Sequence, residues 1–449
     1  MPALPRDLRA LAGARRAVLG RRVLAPRVLA RSVLARGAAG PALSVADQAL
    51  VSACNFATTI VLAHALGLEA FGLFSTAWIA VLLTVSLQLG LVVCPMISIG
   101  PGLGDEARPA YYAIVLVHEA AFLTLAGGAV AIGLALAFGD RALGLAAGVA
   151  CAAHLAQDFC RRYLFARGRP PVVLGIDALN QGIKLAGLIL LSRAGILSPT
   201  RALEVVAASA ALSCLCAIPF RGPLAWRAGE FGAASRRQWH SGRWLVLTGL
   251  MQWLSGYGGL LVAGALLGVT LIGVVRAAQS ILGVLNLIRD ALENIVPPIA
   301  GRALAQGGLH GLRPVIGVTA AIGFAGGLSF TALLALTGKS LLAAAFGPDM
   351  AAYAWVVAWY SLLFPVSLVS FAQICAFRAL ERTGAVFAAT AAAAALNLAL
   401  VYPAVRGFGI EGLLGVAITS EVLVCLVLAG LLRRVLRAPT GTLGSLQPA

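Results

Sequence analysis

Twelve apolar stretches divide this chain of 449 residues, and basic residues gather in every second connection between them. Each stretch reaches or nearly reaches the roughly 20 residues that a helix needs to cross the hydrocarbon core of a bilayer. With 60% hydrophobic and only 11% charged residues, the chain lacks the charged surface of a soluble protein. The sequence therefore predicts an all-α integral membrane protein. The predicted spans cover residues 44–67, 71–99, 111–138, 142–165, 172–192, 203–220, 244–267, 271–296, 314–337, 351–377, 384–403 and 409–432.

The distribution of the 34 basic residues supports this count and predicts an orientation, because cytoplasmic connections collect Lys and Arg. With both termini in the cytoplasm, 26 basic residues fall on the cytoplasmic side, among them Arg161 at the inner end of the fourth span. Five fall on the outer side, and Lys184, Arg276 and Arg289 lie inside spans. The net charge of +17 is then an orientation signal and an attraction to anionic membrane lipids, and nucleic acid is not expected as a partner.

The polar residues of the first and seventh spans share one spacing, which indicates an internal duplication. Four positions match at an offset of 200, pairing Gln48, Ser52, Asn55 and Thr59 with Thr248, Gln252, Ser255 and Gly259. In the turns that follow, Gly72 matches Gly273 at an offset of 201. Because each half has an even number of spans, both halves begin on the same side of the membrane. We therefore predict two parallel six-helix lobes around a central cavity, with a basic cytoplasmic tail (1–43), an N-lobe (44–220), a cytoplasmic linker (221–243), a C-lobe (244–433) and a C-terminal tail (434–449).

Ionisable residues inside the spans are the candidate functional residues, since a charge at the bilayer centre costs about 2.5 to 3.5 kcal/mol on insertion scales. Lys184 lies near the middle of the fifth span, with Asp177 and Gln181 on the same helical face. We expect it to face a cavity, the alternatives being a lysine that reaches the interface or pairs with a carboxylate.

The eighth span carries a polar stripe along one helical face, formed by Arg276, Gln279, Gly283, Asn286, Asp290 and Glu293. Arg289 stands beside it, at the spacing of a helical ion pair with Glu293. The stripe predicts the wall of a cavity or a polar seam between helices. Arg289, Asp290 and Glu293 also lie close enough to the inner end of the span to meet lipid headgroups.

Asp47, Pro365 and the basic N-terminal segment each support a further prediction. Asp47, at the start of the first span, either binds a coupling cation or sits at the membrane interface. Pro365 predicts a kink in the tenth span. The basic segment before residue 40 is interpreted as a juxtamembrane tail, with a mis-assigned start codon or a transit peptide as alternatives.

No phosphate-binding loop, zinc-binding cysteine pair or nucleophile motif occurs, so no cofactor, no metal and no enzymatic activity are expected.

Two groups of residues form a recognisable pattern: Asp47-Gln48, Ser52, Asn55-Phe56, Leu66-Gly67, Phe71-Gly72 and Trp78 in the first two spans, and Arg276-Ala277-Ala278-Gln279, Asn286, Glu293-Asn294 and Pro297 in the eighth. Together they resemble the corresponding helices of bacterial Wzx-type oligosaccharide flippases. These belong to the superfamily that also holds the multidrug and toxic compound extruders (MATE) and the lipid II flippase. The resemblance covers about residues 44–433 and implies a MATE-like, lipid II flippase-like fold in the cell inner membrane, with alternating access to a cationic cavity.

The resemblance implies that the transported molecule is a polyprenyl-pyrophosphate-linked oligosaccharide used in polysaccharide biosynthesis. The candidate substrate-binding residues are Lys184, Arg276, Arg289, Gln48, Asn55, Gln252, Gln279 and Asn286, and the candidates for binding a coupling ion are Asp47, Asp290 and Glu293. Expected partners are the lipid-linked oligosaccharide, membrane lipids, and a polysaccharide polymerase and glycosyltransferases. Lipid II flippases carry arginines in the first helix, which this chain lacks, so lipid II itself is disfavoured as the substrate.

Three other classes of protein remain as alternatives. A multidrug exporter of the same superfamily shares the fold but usually relies on membrane acids, whereas the mid-depth candidates here are basic. An integral-membrane enzyme, such as a polysaccharide polymerase or acyltransferase, needs a site built on long loops or clustered His and Asp residues, and the longest outer connection, near 193–202, has neither. A non-transporting scaffold would tolerate substitution of Lys184 and Arg276.

Overall fold

Three glycines with positive φ divide the longest helical runs of this protein. The structure, a computed structural model, describes residues 39–380 and 382–437, although the side chains of some positions, including Asn286, Asp290 and Glu293, lie outside the described part. Gly67 (φ 72°) interrupts the run Ala39–Gln88, Gly308 (φ 55°) interrupts Val269–Phe346, and Gly409 (φ 59°) interrupts Thr383–Arg437. Because glycine adopts this conformation without steric cost, each run is divided there into two helices.

The part of the chain that the structure describes thus forms twelve helical segments. Their bounds are α1 (39–66), α2 (68–102, with a π-helical turn at Leu89–Val93), α3 (Arg108–Phe138), α4 (Arg141–Ala166), α5 (Pro170–Arg193), α6 (Pro199–Ala217), α7 (231–267, with a π-helical turn at Leu254–Gly258), α8 (269–307), α9 (309–346), α10 (354–379), α11 (383–408) and α12 (410–437). Each segment overlaps one predicted span. All except α8 lie within helices long and apolar enough to cross a membrane, and α8 has a shorter apolar stretch, Val269–Gly283, among its described residues. The predicted all-α membrane fold of about twelve helices is confirmed.

The two lobes, α1–α6 and α7–α12, meet through the duplicated turns. A Cβ atom on Gly72 would lie 2.1 Å from the carbonyl oxygen of Val269, and one on Gly273 would lie 2.6 Å from that of Leu68. Leu68 and Val269, like the two glycines, are equivalent at the offset of 201. The contact is therefore reciprocal, as a two-fold relation between parallel lobes requires.

The buried apolar residues form cores shared by both lobes on one side of the bundle and cores confined to one lobe on the other. We call the side on which the first and last described helices begin and end the terminal side, and the opposite side the distal side. In the distal half, two clusters join the lobes. Phe71 and Leu203 pack in the same core as Val274 and Phe346, and Ile79 packs in a second core with residues of α7, α8, α11 and α12. In the terminal half, the N-lobe and the C-lobe have their own clusters, around Tyr112 and Phe377 respectively. The lobes are thus sealed together on the distal side.

Helix α7 begins at Phe231, inside the segment predicted as a linker, and its first turns pack against the N-lobe. The ring of His118 in α3 lies 2.9 Å from both Ser235 Oγ and Gln238 Oε1, and Gln238 Nε2 donates to the carbonyl oxygen of Leu91 in the π-helical turn of α2. These contacts fix the entry to the C-lobe against α2 and α3.

Helix α10 is kinked, as Pro365 predicts. The helix breaks at Leu362, three residues before the proline. Proline has no N–H to donate to the carbonyl group four residues earlier, that of Ser361. The Thr331 hydroxyl of α9 donates to this carbonyl oxygen instead, at 3.1 Å, so the bond lost at the kink is replaced from the neighbouring helix.

Candidate functional site

A cavity of about 320 Å³, the main cavity, lies inside the N-lobe between α1, α2, α4, α5 and α6. The C-lobe contributes a single side chain to its wall, that of Arg276 in α8. The charged residues of the wall are Asp158, Arg161, Asp177, Lys184 and Arg276. Each predicted membrane cation except Arg289 therefore faces this one space.

Lys184 lines the main cavity and is 9% exposed. It shares the wall with Asp177, Asn180 and Gln181, because the 4-3 spacing of positions 177, 181 and 184 places them on one face of α5. Lys184 Nζ donates to Asn55 Oδ1 of α1 at 3.0 Å. Lys184 and Asn55, both predicted from the sequence to bind substrate, thus form a hydrogen bond across the main cavity.

Arg276 approaches the main cavity from the opposite lobe and is held by neutral groups. Its Nη1 donates to Gln279 Oε1 at 3.0 Å, and its guanidinium lies 5.7 Å from the centre of the Tyr257 ring. Gln279 Nε2 in turn donates to the Tyr360 hydroxyl at 2.9 Å. Among the ion pairs of the described residues, none includes Lys184 or Arg276. Two cations at membrane depth are therefore held without a carboxylate partner there.

A third cation, Arg161, is neutralised by two buried carboxylates, and we call these three residues the Arg161 cluster. Arg161 Nη2 lies 2.6 Å from Asp47 Oδ2, and its Nε lies 2.6 Å from Asp177 Oδ2, with the Asp47 side chain only 1% exposed. Gln157 Nε2 donates to Asp177 Oδ1 at 2.6 Å, and Arg161 Nη2 also donates to Gln48 Oε1 at 3.3 Å. The cluster ties α1, α4 and α5 together.

Arg161 was not predicted as a site residue, because in the sequence it is one of several basic residues at the inner end of the fourth span. A signal was present, since His154, Gln157 and Arg161 follow the 3-4 spacing of one helical face, and all three line the main cavity. Asp47, predicted to bind a coupling cation or to lie at the membrane interface, is buried and pairs with Arg161.

A second cavity, of about 290 Å³, lies inside the C-lobe between α7, α8, α10, α11 and α12. Its polar wall includes Gln279, Tyr360, Asn397, Ser420 and Glu421, and no Lys or Arg belongs to the described residues that line it. Helix α8 contributes to both walls, with Arg276 lining the main cavity and Gln279 the second.

The remaining candidates from the sequence lie elsewhere. Gln252 and Arg289 are exposed and line neither cavity, and Gln48 contacts Arg161 without lining the main cavity. The side chains of Asn286, Asp290 and Glu293 lie outside the described part of the structure. Among the residues that the structure describes, no three His, Cys, Asp or Glu side chains come together in a way that could hold a metal ion.

Known structures share the fold, whereas comparisons of sequence find no relative. No family model and no curated protein matches the chain. A multidrug resistance MATE-family transporter of the MOP superfamily, in its inward-facing conformation, matches with a TM-score of 0.67 at 14% identity, over 89% of this chain and 96% of that one. The lipid II flippase MurJ, in an inward closed conformation, matches with a TM-score of 0.66 at 12% identity, over 87% of each chain. An outward-facing conformation of a MATE-family transporter gives 0.52 at 14% identity, over 88% of this chain and 94% of that one.

These matches define the class of fold. The protein has the two-lobe, all-helical membrane fold that MATE-family transporters and the lipid II flippase share, as the sequence predicts. At 12% to 14% identity, the likeness concerns the fold alone.

Proposed function

We propose that this protein is a membrane transporter that moves a polyprenyl-pyrophosphate-linked oligosaccharide from the cytoplasmic to the outer leaflet by alternating access. It acts in the inner membrane with the terminal side in the cytoplasm. One observation carries the proposal: Lys184 and Arg276, from opposite lobes, face the main cavity with neutral hydrogen-bond partners in the described structure.

The charge of the main cavity favours an anionic ligand. A cation at membrane depth without a carboxylate partner is costly, and a ligand phosphate lowers that cost by forming charge-assisted hydrogen bonds. The pyrophosphate of a lipid-linked oligosaccharide supplies such a group. Its polyprenyl tail remains in the lipid, where it is already soluble.

The separation of the terminal cores supports alternating access. The cores of the distal half join both lobes, whereas those of the terminal half are built around one lobe each. Opening the distal seal and joining the terminal halves would expose the same cations to the other side. Binding an anion between Lys184 and Arg276, which belong to different lobes, favours the rearrangement that brings the lobes together around the ligand.

The Arg161 cluster is our candidate coupling site. It holds two carboxylates and one guanidinium, so it carries one negative charge in excess and can accept a proton or a monovalent cation. Binding of a proton or cation to Asp47 or Asp177 would weaken the ion pair that connects Arg161 to α1 or to α5, respectively. Asp290 and Glu293 remain coupling candidates from the sequence alone.

A multidrug exporter is the second candidate function. Asp47 and Asp177, buried beside the main cavity, are the observation that favours it, because membrane acids suit cationic drugs. Arg161 already occupies both carboxylates, and the cations of the cavity would repel such a drug.

The experiment is complementation of a strain that lacks the gene. We expect lipid-linked repeat units to be stranded on the inner leaflet and surface polysaccharide to be lost, with rescue by the wild type but not by Lys184→Ala or Arg276→Ala. Lys339→Ala is the matched control, because Lys339 is the only other lysine of the chain and is exposed. An unchanged pool of lipid-linked glycan in the deletion strain would contradict the proposal. Drug sensitivity in that strain would favour the exporter.

A further inference from the structure

The second cavity differs in chemistry from the main cavity, although α8 contributes side chains to both walls. Three cations line the main cavity, whereas the described wall of the second cavity has none. Its polar groups are amides and hydroxyls, from Gln279, Tyr360, Asn397 and Ser420, with Glu421 as the one acid. Amides and hydroxyls both donate and accept hydrogen bonds, as neutral hydroxyl-bearing molecules do.

A hydrogen-bonded chain connects the two spaces. Arg276 donates to Gln279, and Gln279 donates to Tyr360, so one network runs from the wall of the main cavity to that of the second. Arg276 and Gln279 are about one helical turn apart, roughly 5 Å along α8. The walls of the two cavities therefore meet on this helix, through Arg276 and Gln279.

One buried polar atom in the second cavity lacks a partner. Asn397 Oδ1 accepts no hydrogen bond in the described structure, and Asn397 Nδ2 makes only a long contact of 3.5 Å with Ser420 Oγ. An unsatisfied buried acceptor costs about 1–3 kcal/mol, which a ligand with hydroxyl donors would recover. A hydrocarbon tail has no donor to offer.

We propose that the second cavity binds the uncharged, hydroxyl-rich part of the substrate, a sugar residue next to the pyrophosphate held by Lys184 and Arg276. This inference rests on the proposed function. The volume of about 290 Å³ lies near the lower end of small-molecule pockets, so the cavity takes a part of the glycan. Glu421 then serves as a hydrogen-bond acceptor for sugar hydroxyls.

Binding of two probes to the purified protein in lipid nanodiscs tests the inference: undecaprenyl pyrophosphate, and the same lipid carrying one N-acetylglucosamine. The variants are Asn397→Leu, which keeps the side-chain volume, and Ser420→Ala. We expect each to weaken binding of the sugar-bearing probe about fivefold to tenfold, as for one or two lost hydrogen bonds, and to leave binding of the sugar-free probe unchanged. Thr419→Val is the matched control, because Thr419 is exposed and its hydroxyl bonds only to the backbone of Gly415.

The outcomes separate this inference from the proposed function. Equal effects of Asn397→Leu on both probes, or no effect on either, would overturn the sugar site alone. Failure of the wild type to bind the sugar-free probe would overturn the proposed function itself. Glu421→Gln provides a further distinction: retained binding of the sugar-bearing probe supports the inference. If tetraphenylphosphonium instead binds the wild type and Glu421→Gln abolishes that binding, the cavity is a cation site and the inference is wrong.

Discussion

At the scale of single residues, the Arg161 cluster has the largest expected effect on stability. Two buried carboxylates depend on one guanidinium whose side chain is 18% exposed, so most of the compensation for their burial comes from Arg161. Removing one member of a buried ion pair leaves an uncompensated buried charge. This destabilises a protein far more than replacing the whole pair with apolar residues does. Arg162, the next residue, pairs with Asp158 nearer to solvent.

Arg161→Ala is expected to destabilise the protein by about 3–5 kcal/mol, because Asp47 and Asp177 then remain buried without a partner. Unfolding of the purified protein in detergent, followed by circular dichroism, measures this change. Arg162→Ala is the control, and its single, partly exposed pair predicts a loss of less than about 1 kcal/mol.

Neutralising the two carboxylates provides the complementary test. Adding Asp47→Asn and Asp177→Asn to Arg161→Ala removes the uncompensated charges, so the triple variant should be more stable than Arg161→Ala alone. A triple variant as unstable as the single variant would show that Arg161 acts through packing, for instance against Phe165, whose ring centre lies 5.7 Å from its guanidinium.

At the scale of helices, the hydrophobic pattern predicted the number of helices and their approximate positions, because a membrane crossing requires a long apolar run with its backbone hydrogen bonds made internally. The kink at Pro365 was predictable for the same local reason. The partner that stabilises it was not, since Thr331 is an unremarkable threonine in the sequence and its role depends on how α9 packs against α10. The helical start at Phe231 also depends on tertiary contacts, those with α2 and α3.

Thr331→Val is expected to destabilise the protein by about 1–3 kcal/mol, because the buried Ser361 carbonyl then loses its hydrogen-bond donor at almost unchanged side-chain volume. The unfolding measurement in detergent applies here as well. Thr337→Val serves as the control, since the Thr337 hydroxyl is exposed and bonds only within α9, so little change is expected.

A double-mutant cycle with Pro365→Ala tests the mechanism of this effect. Alanine supplies the N–H that proline lacks, which allows a backbone bond to the Ser361 carbonyl. Thr331→Val should therefore cost less in the Pro365→Ala background than in the wild type. Equal costs in the two backgrounds would mean that Thr331 does not compensate for the proline.

At the scale of the whole molecule, the internal repeat was visible in the sequence, but the site that it builds was only partly predictable. Lys184 and Arg276 stood out because a cation in an apolar run is unusual. Their position with Asn55 and Arg161 around one cavity depends on the packing of six helices, which no spacing along one helix reveals. Gly72 and Gly273 connect the sequence repeat with the tertiary structure, because these two repeated positions form the reciprocal contact between the lobes on the distal side.

Gly72→Ala is expected to weaken the distal seal, because its Cβ atom would lie 2.1 Å from the carbonyl oxygen of Val269 and only separation of the two turns relieves that clash. Overpacking of this kind costs about 1–3 kcal/mol, and 1.4 kcal/mol corresponds to a tenfold change in the population of the open state.

The reporter is Ser75→Cys, at a buried position on the wall of the main cavity, in a background without the eight native cysteines. A membrane-impermeant maleimide added outside intact cells should label this cysteine roughly tenfold faster in the Gly72→Ala variant. Gly175→Ala is the control, because a Cβ atom there meets open space within 4 Å. Identical labelling rates in the two variants would show that the turns at Gly72 and Gly273 do not form the gate, and that another part of the distal core closes the cavity.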